Sequence, residues 1–398
     1  MTGSRPVTGR LTAGVAGLLL AVPAGCSGEE GTAPRPQGPD NTAITAPTTT
    51  PAAPTTAPTT DARGGPDRTV TPTRPVTPRV AGVVARDLEV PWGIDFLPDG
   101  SALVTERDNA RILRIGPSGR VSTVGPVSGV VPTSEGGLLG LAVSPSYRRD
   151  NRIYVYLTTD HDNRVVSMRY DGRRLGPQRP VLTGIPFGPI HDGGRLEFGP
   201  DGRLYVSTGE SGDEDLSQDR DSLGGKILRI NPDGSVPAGN PVPRSPVWTF
   251  GHRNVQGLAF DTRDRLWATE FGSDVWDELN RIEKGLNYGW PAAEGDSDVR
   301  GFTDPLVQWR PDNASPSGLA YAAGSLWAAS LNGERLWQVP VRSDGGVRSP
   351  RPHFVGDYGR LRTVVAAPDG SLWVSTSNHD GRGNPAPADD RILRLVLR

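Results

Sequence analysis

The stretch "PDGRLYVST", Pro200–Thr208, decides the fold. Pro200, Asp201 and Gly202 make a tight turn, and Leu204, Tyr205 and Val206 follow as a short apolar strand. The same unit recurs as "PDGSALVTE" from Pro98, "RDNRIYVYL" from Arg149, "TRDRLWATE" from Thr262, "AAGSLWAAS" from Ala322 and "PDGSLWVST" from Pro368. The first strand residues of the six copies are Ala102, Ile153, Leu204, Leu266, Leu326 and Leu372, at intervals of 51, 51, 62, 60 and 46 residues. An apolar segment precedes each copy, such as "LLGLAVSP", "GRLEFGP" or "TVVAAP", and a third strand often follows, such as "ARILRI" or "GKILRI". Small antiparallel sheets repeating at about 50 residues are the signature of a β-propeller. Six copies predict an all-β, six-bladed propeller of four-stranded antiparallel blades over residues 81–398. Trp267, Trp327 and Trp373 fall in one register of the second strand and read as packing between blades.

Outside the repeats the chain changes character. Arg5 and Arg10 precede an apolar run, Leu11 to Val22, and "PAGC" ends at Cys26. That run is short for a bilayer span and has the layout of an export signal. It resembles a bacterial lipoprotein signal peptide, residues 1–26, with Cys26 as the lipidated residue. Pro23 stands where an apolar residue is usual, and an ordinary secretory signal is the alternative. The expected location is the outer face of the cytoplasmic membrane, held there by the lipid alone. Residues 27–80, rich in Thr, Pro and Ala, lack the large apolar residues needed to offset ordering entropy and read as a disordered linker. Cys26 is the one cysteine, so no intrachain disulfide can form. A net charge of -2 gives no electrostatic footprint for nucleic acid.

In a propeller the residues just before the inner strands converge around one mouth of the axial channel. Here they include Glu135, His191 with Asp192, His252 to Gln256, and Arg360 with Arg362. Three guanidinium groups so placed, on Arg253, Arg360 and Arg362, repel one another unless an anionic ligand is shared among them. A histidine in the same mouth is a candidate general base. His252 reads as an orienting neighbour instead. Arg360 and Arg362 have a plainer reading as partners of blade-edge carboxylates.

The motifs "EGGLLGLAVSP", "HDGGRLEFGPDG", "GHRNVQGLAF", "DELNRIEKGLNYGWP" and "GRLRTVVAAPDG" together resemble the glucose/sorbosone dehydrogenase family, over about residues 85–397. The family comprises soluble quinoprotein glucose dehydrogenases and aldose sugar dehydrogenases. The resemblance implies a six-bladed propeller that binds pyrroloquinoline quinone (PQQ) and Ca2+ on its axis and oxidises the C1 hydroxyl of aldoses to lactones. By the same resemblance His191 is the base, Glu210 orients it, and Arg253 reaches the reactive quinone carbonyl. Asn254, Gln256, Arg360 and Arg362 contact PQQ, and Glu135 lies near the pocket. The carbonyls of Gly272 and Ser273 hold calcium, and Glu278 and Tyr288 serve a second ion. Asp277 and Glu278 read equally well as a solvated turn, and the acidic run from Glu210 to Asp221 reads for most of its length as an exposed loop, with an ion site as the other reading. The expected partners are a sugar and an electron acceptor, either a quinone or a redox protein, with a homodimer left open.

Three positions depart from the family pattern: Asn332 replaces a lysine on PQQ, Thr363 replaces an acid after the arginine pair, and Val255 replaces a proline. Losing the lysine charge predicts a weaker grip on PQQ. Two other functions therefore stay open at this point. One is a non-catalytic surface propeller binding an anionic ligand or glycan. The other is a calcium-dependent lactonase-type hydrolase.

Overall fold

The computed structural model describes residues 76–398, so the signal segment, Cys26 and nearly all of the linker lie outside the described residues. Six four-stranded antiparallel sheets follow one another around an axis, as the repeats predict. Their inner strands are Pro91–Phe96, Leu138–Val143, Leu196–Phe198, Val255–Phe260, Pro316–Ala322 and Leu361–Ala366. We number the blades 1 to 6 in that order. The strand that opens the propeller, Pro78–Ala85, starts inside the stretch read as linker. It pairs antiparallel with Ile392–Leu397 and so completes blade 6. Thr77 and Arg398 exchange both backbone hydrogen bonds, at 2.7 and 3.1 Å. First and last strands thereby close the ring, and neither is left as an unpaired edge inside it.

The core is distributed between neighbours. Six apolar clusters lie one at each junction of adjacent blades, including the junction of blade 6 with blade 1. Strand periodicity builds this arrangement. In Ser325–Ser330, Leu326 and Ala328 face blade 4, while Trp327 and Ala329 face blade 6. Trp267 and Trp327 are fully buried at such junctions, and Trp373 meets Phe96 edge-on at 5.0 Å, as their shared register predicts. One segment differs from its sequence reading. Asp277 and Glu278 are not in a solvated turn; they open the strand Asp277–Ile282 and are buried beneath the loops of blade 4. The strand Val307–Trp309, distant in sequence, pairs with them.

Candidate active site

His191 sits just before the inner strand of blade 3 with a positive φ of 60°. That left-handed geometry is costly for a residue with a Cβ, by about 1–3 kcal/mol, and such residues cluster at functional sites. Its neighbours hold it there. The His191 N–H donates to Glu135 Oε2 at 3.0 Å, and its carbonyl accepts from Ser211 N at 3.1 Å. Gly209 is indispensable to this packing, since a Cβ there would lie 1.8 Å from the His191 oxygen. The His191 ring is buried and pairs through Nδ1 with Glu210 Oε1. Glu210 Oε2 accepts from Gly212 N at 2.5 Å, which fixes the carboxylate in turn. Behind them Asp192 accepts from Asn163 Nδ2 at 2.8 Å, and burial pushes its carboxyl up to about 6.

The acidic run after Glu210 is an exposed loop, as read, with a short 3-10 turn at Glu214–Ser217. Its inner side is held by Lys226, fully buried, whose Nζ donates to the carbonyls of Leu216, Ser217 and Gly224 at 2.6, 3.1 and 2.5 Å.

His252 is buried. It pairs with Glu270 through Nδ1 at 2.8 Å and with Thr249 through Nε2 at 2.9 Å, and it stacks on Tyr288 at 4.7 Å. Both nitrogens are engaged, so it orients its neighbours and has no free atom for proton transfer. Arg253, next to it, has no carboxylate partner for its guanidinium among the described residues. Its Nη1 donates to the Gly272 carbonyl at 2.6 Å, and its Nε is buried without a partner. Asn254 accepts from Gly193 N at 3.1 Å, and its amide nitrogen is likewise buried and unpaired. Gln256 Oε1 accepts from Ser317 at 2.8 Å and from Arg362 at 3.2 Å.

Arg360 and Arg362 are both buried and share one carboxylate, that of Asp380, at 3.0 and 3.2 Å. Burial lowers the Arg362 pKa to about 10; Asp380 opposes that shift, and Arg107 and Arg360 add to it. Thus the acid absent from position 363 is supplied from the loop after the second strand of blade 6. Thr363 instead donates to the Trp92 carbonyl at 2.5 Å and accepts from Arg195 at 3.1 Å. Val255 is core, and Asn332 is exposed, donating to the Pro311 carbonyl at 3.2 Å.

Sequence reasoning missed three groups here. Asp380 is one. Arg382 reaches across the mouth to Glu135 at 2.8 Å, and the two residues lie 247 positions apart. Burial works against the Glu135 charge, yet the His191 amide and Arg382 hold its carboxyl below the usual range. Arg195 forms the floor: it lies 4.2 Å over the Trp92 ring and donates to the Gln256 carbonyl at 2.8 Å. The available signal was a pair of charged residues, Arg195 and Glu197, at the start of an inner strand, "GRLEF".

The metal positions divide. Gly272 turns its carbonyl toward the mouth, where Arg253 meets it, and Ser273 N donates to Glu294 at 2.8 Å. A backbone carbonyl such as that of Gly272 is a hard donor of the kind calcium takes, though here it accepts from Arg253. Glu278 accepts from Gly295 N at 2.7 Å and Asn280 Nδ2 at 2.9 Å; burial first, and Glu270 second, raises its carboxyl to about 8. The Asn280 amide oxygen beside it is buried without a partner. Tyr288 does not join Glu278 through its hydroxyl, which donates to Arg281 O at 2.7 Å and accepts from Glu283 N at 2.9 Å. Stacking on His252 turns its ring that way.

The chain is similar to known proteins over most of its length. The PQQ-bound aldose sugar dehydrogenase of Streptomyces coelicolor is 53% identical, with a TM-score of 0.80, over 82% of this chain and 100% of its own. The Escherichia coli aldose sugar dehydrogenase YliI is 30% identical over 345 residues, 75% of this chain and 90% of that protein. Quinoprotein glucose dehydrogenase B of Acinetobacter calcoaceticus is 35% identical over 257 residues, 55% of this chain and 54% of that protein. Residues 88–394 match the glucose/sorbosone dehydrogenase description, and the chain belongs to that family.

Proposed function

We propose that this chain is a PQQ-dependent aldose or glucose dehydrogenase, with His191 as its base. One observation carries the reading. Arg360 and Arg362 share the single carboxylate of Asp380, and among the described residues Arg253 has no carboxylate partner, its Nε and the Asn254 amide nitrogen being left unpaired. PQQ, with three carboxylates and a quinone, fits that donor set. When bound, it supplies the acceptor for the hydride leaving the sugar's C1. Glu210 holds the His191 Nδ1 hydrogen, which leaves Nε2 as the acceptor for the sugar's hydroxyl proton. Arg360 and Arg362 grip cofactor carboxylates, while Asn254, Gln256 and Glu135 line the rest of the mouth. Arg253 offers donors where negative charge grows. Calcium would be held by the carbonyls of Gly272 and Ser273, and a second ion by Glu278 with the Asn280 amide oxygen. Electrons would pass on to an external quinone or redox protein. The anionic-glycan and lactonase readings gain no observation of their own. The full chain, titrated with PQQ in Ca2+, should take up the quinone saturably, and its absorbance should bleach when aldose is added. Saturable uptake that no aldose bleaches would overturn the dehydrogenase reading.

The layout of residues 1–26 supports export and lipidation at Cys26, with residues 27–80 as the tether. Replacing Cys26→Ala should move the protein from the membrane fraction to the medium or periplasm. An unchanged membrane fraction would dismiss the lipid anchor.

A further inference from the structure

The loop Phe271–Trp276 joins the second and third strands of blade 4, Leu266–Glu270 and Asp277–Ile282. Among the described residues it makes no backbone hydrogen bond within itself. Two carboxylates take its amides instead. Glu294 Oε1 accepts from Ser273 N at 2.8 Å, Val275 N at 3.0 Å and Trp276 N at 2.8 Å. Asp277 Oδ1 accepts from Gly272 N at 3.0 Å, and its Oδ2 accepts from Ser315 N, in the loop entering blade 5, at 2.6 Å. All of these donors are backbone N–H groups, so both acids act on the course of the chain.

A trans peptide is planar, and its N–H and C=O point in opposite directions. The peptides on either side of Gly272 are trans. Seating the Ser273 N–H on Glu294 therefore turns the Gly272 carbonyl the other way. Seating the Gly272 N–H on Asp277 does the same for the Phe271 carbonyl. Both carbonyls face Arg253, whose Nη1 lies 2.6 Å from the Gly272 oxygen and 3.4 Å from the Phe271 oxygen. Gly272 is what admits the carboxylate: a Cβ there would lie 2.5 Å from Glu294 Oε1 and 2.0 Å from the Trp276 carbonyl oxygen. The segment carrying Glu294 is itself tied down. Gly295 N donates to Glu278 Oε1 at 2.7 Å, and Asp296 N donates to Gln308 Oε1 at 2.8 Å.

We propose that Glu294 is a positioning residue: it aims the Gly272 carbonyl into the mouth and so sets the affinity for Ca2+ there, with Asp277 as its companion at the preceding peptide. The proposal rests on the reading of that carbonyl as a calcium donor. A loop without internal hydrogen bonds would otherwise have to be ordered by the ion, and ordering it beforehand removes that cost from binding. Residues that hold a metal's donors in place commonly contribute about 10- to 100-fold to its affinity.

The test is the Ca2+ concentration needed for half-maximal PQQ uptake by the full chain, followed by quinone absorbance and independent of turnover. Glu294→Ala should raise it about tenfold or more. Glu294→Gln should stay within about threefold of wild type, because its amide oxygen can still accept from the same backbone N–H groups. Should Glu294→Ala not fold, Glu294→Asp serves instead: it keeps the charge on a side chain one methylene shorter, which cannot reach all of those groups, and should show the same rise. A lower melting temperature with an unchanged Ca2+ requirement would overturn the proposal, and so would Glu294→Gln behaving like Glu294→Ala. Wild-type uptake that ignores Ca2+ would instead remove the calcium reading, and the proposal with it.

Discussion

Replacing His191→Ala should lower kcat for aldose oxidation by about 10^3-fold, within the range that a positioned general base contributes. The expectation rests on how completely the ring is placed. Its backbone is held by Glu135 and Ser211, its Nδ1 by Glu210, and that carboxylate by Gly212. None of these contacts involves the arginines, so the variant should still take up PQQ with near-normal affinity. Added imidazole should restore part of the rate. Glu210→Gln should fall between wild type and His191→Ala, because the ring stays but its tautomer is no longer enforced. A His191→Ala protein retaining more than a tenth of wild-type kcat would remove His191 from the chemistry.

The second large effect concerns binding. The double variant Arg360→Gln, Arg362→Gln should raise the PQQ Kd by about 10^2 to 10^4-fold, given about 1.5–3 kcal/mol for each charged hydrogen-bonding group lost. The variant leaves Asp380 buried without its two guanidinium partners, so the mouth loses two positive charges. At saturating PQQ, kcat should recover much of its wild-type value, since neither arginine touches His191. Equilibrium dialysis measures the Kd and steady-state rates measure the recovery. A Kd within threefold of wild type would mean that the cofactor's carboxylates lie elsewhere. The same assay bears on Asn332: restoring a lysine there should tighten PQQ only if that exposed position overhangs the cofactor.

The six turn-and-strand units made the architecture readable, because each blade repeats one local pattern and the spacing counts the blades. The mouth was readable for a related reason: residues just before inner strands converge whatever else the loops do. That rule brought His191, Arg253, Arg360 and Arg362 together. Partners supplied by other loops escaped it. Asp380 lies in a loop outside the six positions, and Arg382 reaches Glu135 only once blade 6 meets blade 1. Asp277 and Glu278 look like surface residues by type. They are buried because they sit in a paired strand and their carboxylates take backbone N–H groups from other loops, Gly272 and Ser315 at Asp277 and Gly295 at Glu278. The start of the propeller at Pro78 was hidden similarly, since its partner is the last strand of the chain.

That pairing also has a kinetic side. Pro78–Ala85 is synthesised before every blade, yet its partner Ile392–Leu397 emerges last. The earliest strand must therefore wait, its hydrogen-bonding groups open, through the making of the entire ring. Contacts so distant in sequence close slowly and leave a chain exposed to mispairing while it waits. A ribosome-stalled or truncated product lacking Ile392–Leu397 would keep five complete sheets and a sixth reduced to the pair Leu361–Ala366 and Leu372–Thr376, with Pro78–Ala85 unpaired. The ring can lock only when Ile392–Leu397 is present.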